Sequence, residues 1–563
     1  MSYRRSQAQD SFIVFRKGTR RAVAENAQNT ALTAARGLAN FMKPALGPRG
    51  MNKLLITDTK DIIITRDGAR MLSFMEFSHP IAWILKDATM SIEKNVGDGS
   101  KTTIIIAGEL VKRLASLVKP GESRICAYVS ECKFALELAL ERLRKLAKPF
   151  EFGDYETMIN IAKTMLNARG IELAVDHLAD LAVRAVLNVM ENRGGRICLN
   201  PDDVQIMKKH AGSLFDSELI LGAVIDRSSD RGIMHLLMPK KVHNVKVALI
   251  NTAIKPMDKF KRMQLYEREI IIRESKLMGD ILKEQEGIAI ELAEKIISTG
   301  AGAVFSKRPI HPTTAYELAK AGIPAVERLT STKRVELIAK ATGANPVTSL
   351  DNLKTEDLGW ATLVEERKIG KDQVIVVEGG ERSRVVTILL KGSLERQLDE
   401  AEHALKDLIM VFAALTKEPA YVPGGGAIEE AISFYLTREA SKQPNRRQMA
   451  MYAFASALEQ IPIVLAENSG LNPVDAITEL RSKHDRELYY YGIDPYSREI
   501  TNMVEAGVVE PLIVKEQVLK TAYETAATVL RINEIIDRRG AKRYLEDTLK
   551  ELKEKREDGK IQD

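Results

Sequence analysis

The sequence predicts a multidomain protein whose mainly α-helical outer segments enclose an α/β insertion. Three observations carry that prediction. The chain has 563 residues, several times the ~100–200 expected of one domain. Apolar side chains recur at helical spacing near both ends, whereas the middle alternates short apolar strands with helical stretches. Three glycine loops of similar character stand at 46–50, 97–99 and 424–426. If all three serve one ligand, the two ends of the chain meet and the middle is inserted between them.

Hydrophobic residues make up 45% of the chain and charged residues 28%, the balance of a globular protein with real cores. A net charge of +6 against 83 basic and 77 acidic residues gives no nucleic-acid footprint. Cys126, Cys132 and Cys198 form neither a disulfide framework nor a zinc spacing, so a reducing, cytoplasmic location is expected. The N-terminal MSYRRSQAQDSF lacks the apolar stretch of a secretory signal. No apolar run approaches the ~18 residues of a membrane span.

In chain order, residues 22–42 place Ala27, Ala31, Ala34, Leu38 and Phe41 on one helical stripe that stops before Lys43-Pro44. The loop ALGPRG follows, and LLITDTKDIIITRDG reads as two strands around a polar turn. Ile104, Ala107, Val111, Leu114 and Val118 mark a helix over 102–118, ended by Lys119-Pro120-Gly121. VKVALI (245–250), AGAVF (301–305) and IPAV (323–326) are strands, with TAYELAKAG (314–322) a helix between the last two. Residues 255–285, charged and methionine-rich, read as a projecting segment or a surface helix. A long helix returns at 397–416 through Leu398, Ala401, Leu405, Leu408, Phe412 and Leu415, followed by VPGGGA. The charged tail after Arg538 is a solvated helix or disordered.

The segment NVGDGSKTTIIIAGEL (95–110) holds the chemistry. Gly97 and Gly99 can expose backbone N–H groups, and a helix starting near Ser100 offers its positive dipole end. Ser100, Lys101, Thr102 and Thr103 add donors for a phosphate. Asp98 would repel a bare phosphate, but a hydrated Mg²⁺ accepts both carboxylate and phosphate oxygens. The alternative makes Asp98 only a helix cap. Neither the Walker pattern nor a Rossmann fingerprint is present.

The ordered set LGPRGM (46–51), RDGARML (66–72), GDGSKTT (97–103), VPGGGA (422–427), LAENSGLNP (465–473) and GVVEPLIVK (507–515) resembles the group II chaperonins. These are the archaeal thermosome and eukaryotic cytosolic chaperonin subunits, and the likeness spans about residues 20–537. It implies an ATP-dependent protein-folding subunit of a double ring, binding ATP and Mg²⁺, unfolded polypeptides and sister subunits in homo- or hetero-oligomers. The implied fold has a mainly α-helical equatorial domain, an α/β apical domain with a helical protrusion, and a small α+β intermediate domain. Their expected ranges are 1–149 and 408–537 for the equatorial domain and 150–213 and 369–407 for the intermediate one. The apical domain would take 214–368, with the protrusion near 255–285, leaving 538–563 as the tail.

Residue by residue, the resemblance places Leu46, Gly47 and Pro48 against nucleotide and phosphates. It makes Asp98 the Mg²⁺ ligand, with Gly99, Ser100, Lys101 and Thr102 along the phosphates. Gly425 approaches ribose and base, Asp494 the adenine, and Glu510 accepts from the ribose. Asp407 aligns the attacking water, and Arg169 stands where a lysine senses the terminal phosphate. An aspartate expected ten residues before Asp67 falls on Thr57, with Asp58 one place late as the catalytic candidate there. A one-residue shift in a strand turns a side chain to the other face. Lys101 replaces a threonine. The expectation is therefore firm ATP binding with weakened hydrolysis, or else a structural or regulatory ring or filament subunit that binds ATP and turns it over poorly.

Overall fold

The computed structural model describes residues 20–23, 25–58, 60–77, 79–118, 124–171, 174–226, 238–256, 275–329, 331–380 and 383–537. Within them the chain forms two compact units. The first takes the described residues before Val96, then Gly99–Lys148, then those from Ala420 onward. The second takes Val96–Asp98 and Pro149–Pro419. The GDGSKTT segment thus changes unit between Asp98 and Gly99. This is the helical and α/β multidomain architecture that the sequence patterning predicts.

In the first unit the helix Ser100–Ala115 is the axis. It packs against the helices Glu25–Met42, Leu512–Leu530, Asn445–Leu458 and Gln460–Ser469. Ile104, Ile105, Ile106, Ala107, Leu110, Val111 and Leu114 are all buried, so the expected single stripe is in fact apolar nearly all round, as a core helix requires. It begins two residues earlier than its periodicity suggests, because Gly99 at φ +94° ends the preceding turn. Gly108 lets Glu25–Met42 approach closely, since a Cβ there would lie 2.6 Å from the Ala39 Cβ. On that helix the buried face is Ala27, Ala31, Ala35, Leu38, Ala39 and Met42. Ala34 and Phe41, expected there, are only half-buried.

Lys53–Ile56 and Ile62–Thr65 form the expected antiparallel hairpin, pairing Lys53 with Thr65 and Ile56 with Ile62. The strand Arg20–Val23 pairs antiparallel with Glu534–Asp537 from the other end of the chain. One helical stretch, Asn445–Ser469, is long and apolar enough to cross a membrane by composition. Met451, Phe454, Leu458, Ile461 and Val464 on it are buried in the core.

Among the described residues the second unit contains two larger sheets and the small hairpin Glu191–Arg193/Arg196–Cys198. The larger has six strands, in the order Ala325–Val326, Ala303–Ser306, Lys241–Ile250, Gly359–Ile369, Asp372–Glu378, Gly222–Asp226. The first three are parallel and the rest antiparallel. In the parallel part Ala303–Ser306 and Ala325–Val326 are buried throughout and Lys241–Ile250 over its last four residues, and the helices Ser275–Ser298 and Pro312–Lys320 pack on each other beside it. The smaller sheet places Val386–Gly392 between Val204–His210 and Glu218–Ile220. The helices Tyr155–Asn167, Val175–Val189 and Glu395–Leu415 pack together, the last two also against this sheet. Glu395–Leu415 runs unbroken past residue 407, and the unit changes at Pro419/Ala420. Of the expected projecting segment, 257–274 lies outside the described residues, as does the tail, and 275–285 belongs to the helix Ser275–Ser298.

Candidate functional site

In the first unit the glycine loops from the two ends of the chain converge. Gly47 has φ +77°, and a Cβ on it would lie 2.6 Å from Leu465 Cδ2. The same leucine's Cδ1 would lie 3.3 Å from a Cβ on Gly426, so Leu465 is wedged between the two loops. Asn468 donates through Nδ2 to the Lys43 and Leu46 carbonyls, both at 2.9 Å. Arg66, buried, donates to the carbonyls of Pro48 at 2.7 Å and Gly50 at 3.1 Å. Arg49 lies over the Tyr496 ring at 5.1 Å, tying the same loop to the stretch GIDPY.

Gly99 is the N-cap of Ser100–Ala115, so Asp98 does not occupy the cap position that its alternative role required. The first amides of a helix lack intrahelical acceptors, which leaves the backbone at Ser100, Lys101 and Thr102 suited to an anion. Lys101 is nearly buried and donates to the Ala45 carbonyl at 3.0 Å. Gly68 brings a second element close: a Cβ there would meet Ser100 Oγ at 2.7 Å and Lys101 Cγ at 2.8 Å.

The third loop is held equally tightly. A Cβ on Gly425, at φ +63°, would lie 2.5 Å from Met503 Sδ, and its carbonyl accepts from the Ile493 amide at 2.9 Å. Asp494 therefore stands beside Gly425, its Oδ1 accepting from the Tyr496 amide at 2.9 Å. A Cβ on Gly424 would approach Glu510 Oε1 at 3.0 Å. Glu510 also pairs with Lys515 at 2.6 Å, and Lys515 with Glu429 at 2.6 Å. Burial disfavours the Lys515 ammonium, yet the two carboxylates overcome it and push its pKa up.

The second unit contributes one charged cluster. Arg169, on the turn after Tyr155–Asn167, is 5% exposed. Its Nη1 reaches Asp407 Oδ2 at 2.7 Å, its Nη2 lies 3.5 Å from Asp98 Oδ1 and donates to the Gly97 carbonyl at 3.2 Å. Gly97 is at φ +78°, and a Cβ there would fall 2.4 Å from the Asp407 carbonyl oxygen, so only glycine permits this approach. Burial raises the Asp407 pKa, Arg169 lowers it and Asp98 raises it again, with a net upward result. A buried carboxylate with a raised pKa is better suited to accept a proton than an exposed one.

The structure thus gathers Leu46, Gly47, Pro48, Gly99, Ser100, Lys101, Gly425, Asp494 and Glu510 in one unit, with Thr102 on the same helix turn. It gathers Asp98, Arg169 and Asp407 in the other. Asp58 joins neither group: it is exposed in the hairpin turn, where Thr57 Oγ1 accepts from the Asp61 amide at 3.1 Å. The carboxylate beside the start of Ser100–Ala115 is instead Asp67, 3% exposed, which caps the helix Gly68–Ser73 by accepting from the Arg70 amide at 2.7 Å. Its neighbour Gly68 abuts Ser100, and its carboxylate lies within 4.8 Å of that of Glu93. The D-G pair opening RDGARML is the signal that could have pointed to it. Hard carboxylate oxygens at Asp67 and Glu93, and at Asp98, have the donor chemistry that Mg²⁺ takes.

The chain matches the family model described as the TCP-1/cpn60 chaperonin family over residues 38–539. It is 39% identical over 525 residues to the thermosome subunit beta of Aeropyrum pernix, covering 93% of this chain and 94% of that one. To the thermosome subunit of Methanopyrus kandleri it is 38% identical, with 93% and 94% covered. To the thermosome subunit beta of Archaeoglobus fulgidus it is 36% identical, with 94% and 95% covered.

Proposed function

Because the chain belongs to the TCP-1/cpn60 chaperonin family, we propose that it is an ATP-dependent, cytoplasmic protein-folding subunit of a double ring. ATP is its nucleotide and Mg²⁺ its metal, and sister subunits and unfolded polypeptides are its partners. The observation that supports this best is the convergence of the loops at 46–50, 99–101 and 424–426 through Leu465, Asn468, Arg66 and Lys101. Such bracing presents backbone amides rather than side chains to a ligand, as a polyphosphate requires.

Leu46, Gly47 and Pro48 pack on the nucleotide, while the amides and hydroxyls of Gly99, Ser100 and Thr102 follow the phosphates. Gly425 and Asp494 border base and sugar, and Glu510, fixed by Lys515, accepts from the ribose. Asp98 would hold the metal, which would supply charge neutralisation to the bound phosphates. Asp407 orients water and takes its proton, and Arg169 positions that carboxylate while sensing the phosphate. The unbroken helix Glu395–Leu415 carries Asp407, so a shift of that helix couples chemistry to the intermediate and apical ranges. Exposed Tyr316, on the apical helix Pro312–Lys320, and Ile290 and Ile297, on its packing partner, suit apolar client segments.

Native mass spectrometry, alone and with candidate sister subunits, tests the ring. Suppression of client aggregation that depends on MgATP tests the function; a monomer indifferent to ATP contradicts it. A second reading, a ring or filament subunit that binds ATP and hydrolyses it poorly, is favoured by Lys101 in the phosphate loop and by the exposed position of Asp58.

A further inference from the structure

We infer that Lys515 and Glu429 set the sugar selectivity of the nucleotide site from inside the core, by holding one oxygen of Glu510 so that the other is presented to the ligand. The inference deepens the nucleotide reading above and rests on it. Both act through Glu510 and are therefore positioning residues. Glu510 stands in the short strand Val509–Pro511, directly before the helix Leu512–Leu530 that carries Lys515. Glu429 is the third residue of the helix Ala427–Ala440, which opens immediately after the glycine loop at 424–426. The three side chains thus join loop, strand and both helices at one point. The Lys515 ammonium lies 2.6 Å from Glu510 Oε2 on one side and 2.6 Å from Glu429 Oε1 on the other. Glu510 Oε1 is turned to the glycine loop instead, 3.0 Å from where a Cβ on Gly424 would lie. One carboxylate therefore has two duties, with Oε2 anchored and Oε1 aimed along the loop. Glu510 has 25% of its side chain exposed, against 8% for Lys515 and 4% for Glu429, so the network reaches the surface through that residue.

Stability alone does not account for this arrangement. Two carboxylates share one ammonium, and a small cavity walled by Ile106, Ile428, Val518 and Leu519 abuts Glu429 and Lys515. Glu429 Oε2 is buried there without a hydrogen-bond partner. An ion pair buried against apolar walls contributes little beyond what a well-packed apolar core would. What it does supply is a fixed direction. Glu429 also divides the pull of the ammonium. Its charge sits in the first turn of a helix, where the dipole favours it, and it keeps Lys515 from closing on both oxygens of Glu510. Oε1 then retains its strength as an acceptor. A carboxylate oxygen held in this way takes a hydrogen bond from a sugar hydroxyl, whereas a deoxy sugar leaves it desolvated and unpaired.

The test displaces a fluorescent ADP analogue, labelled away from its sugar, from the full-length protein with ADP, 2′-deoxy-ADP or 3′-deoxy-ADP in Mg²⁺. Wild type should bind ADP roughly tenfold or more tightly than at least one deoxy analogue. Glu429→Gln is nearly isosteric and spares the fold. It should reduce that preference to about threefold, because the undivided ammonium closes on Glu510. Lys515→Met should bring the preference within about twofold of unity, and Glu429→Gln decides the matter where Lys515→Met does not fold. In both variants the loss should fall on ADP, with the deoxy analogue moving by less than about threefold. A merely structural role gives a different pattern, in which all the nucleotides weaken together and their ratio stays. That pattern, an unchanged ratio in Glu429→Gln, or a wild type that binds ADP and both deoxy analogues equally overturns the inference and leaves a nucleotide site standing. A wild type that binds none of them sinks the nucleotide reading itself.

Discussion

Arg169 holds Asp407 through an Nη1–Oδ2 contact of 2.7 Å, while the same guanidinium lies 3.5 Å from Asp98. One planar fork therefore serves two carboxylates and the Gly97 carbonyl. Lysine, a point charge on a flexible stem, cannot span three such partners. Arg169→Lys should lower single-turnover ATP hydrolysis by roughly tenfold, while binding of the ADP analogue stays within about threefold. Equal rates would show that the fork's geometry is irrelevant.

The raised pKa of Asp407 has a definite sign. Burial favours its neutral form, so stability from this group is present below the unfolded value of 3.8 and lost as pH rises through the folded one. Removing the charge with Asp407→Asn should therefore raise the Tm at neutral pH and have little effect below 3.8. If Asp407 is the base proposed above, catalysis runs the other way: it must be ionised, so the acid limb of the rate profile should lie above the ordinary carboxylate range. Arg169→Gln, which removes the neighbour that favours ionisation, should push that limb higher. A limb unmoved in Arg169→Gln would contradict the coupling.

Lys515 lies between Glu429 and Glu510, both at 2.6 Å, and all three are buried or half-buried. Truncating the cation strands two carboxylates. Lys515→Met should cost about 3–5 kcal/mol in denaturant melts. Adding Glu429→Met should restore part of it, because one stranded charge goes with it. A Lys515→Met variant as stable as wild type would show that the network carries no charge in the folded state.

Glu430 is fully buried, and burial together with Glu459 pushes its pKa up to about 8, against the opposing pull of Arg481 at 3.1 Å. Stability from this carboxyl is complete below 4.5 and falls as pH climbs to about 8. Glu430→Gln should thus match wild type at low pH and melt at a higher temperature above about pH 8. The opposite ordering would mean that the Arg481 pair keeps Glu430 ionised throughout.

Helix positions, the hairpin and the parallel strands were legible because period-3.6 and period-2 patterns survive in one chain. Finer choices were not. On Glu25–Met42 a shift of one residue separates Ala34 and Phe41, expected inside, from the buried Ala35 and Met42. Alanine-rich faces offer too little contrast to place the stripe. The glycines marked backbone of unusual conformation, since Gly47, Gly97, Gly99 and Gly425 all have positive φ. What sequence could not show was the bracing: Asn468 reaches Leu46 across 422 positions, and Leu465 wedges two loops. Lys101 read as a charge for phosphate, yet its ammonium is turned to a backbone carbonyl. Asp67 carries no signal beyond its D-G pair, yet it is a buried carboxylate beside the start of Ser100–Ala115.

Single-turnover hydrolysis of MgATP by the assembled full-length protein, wild type against Asp407→Asn, bears most directly on the whole scheme. The expected result is phosphate release by wild type and a loss of roughly 10²-fold or more in the variant, with nucleotide still bound by the braced loops. Phosphate released equally fast by both proteins would remove Asp407 from the chemistry and the scheme with it.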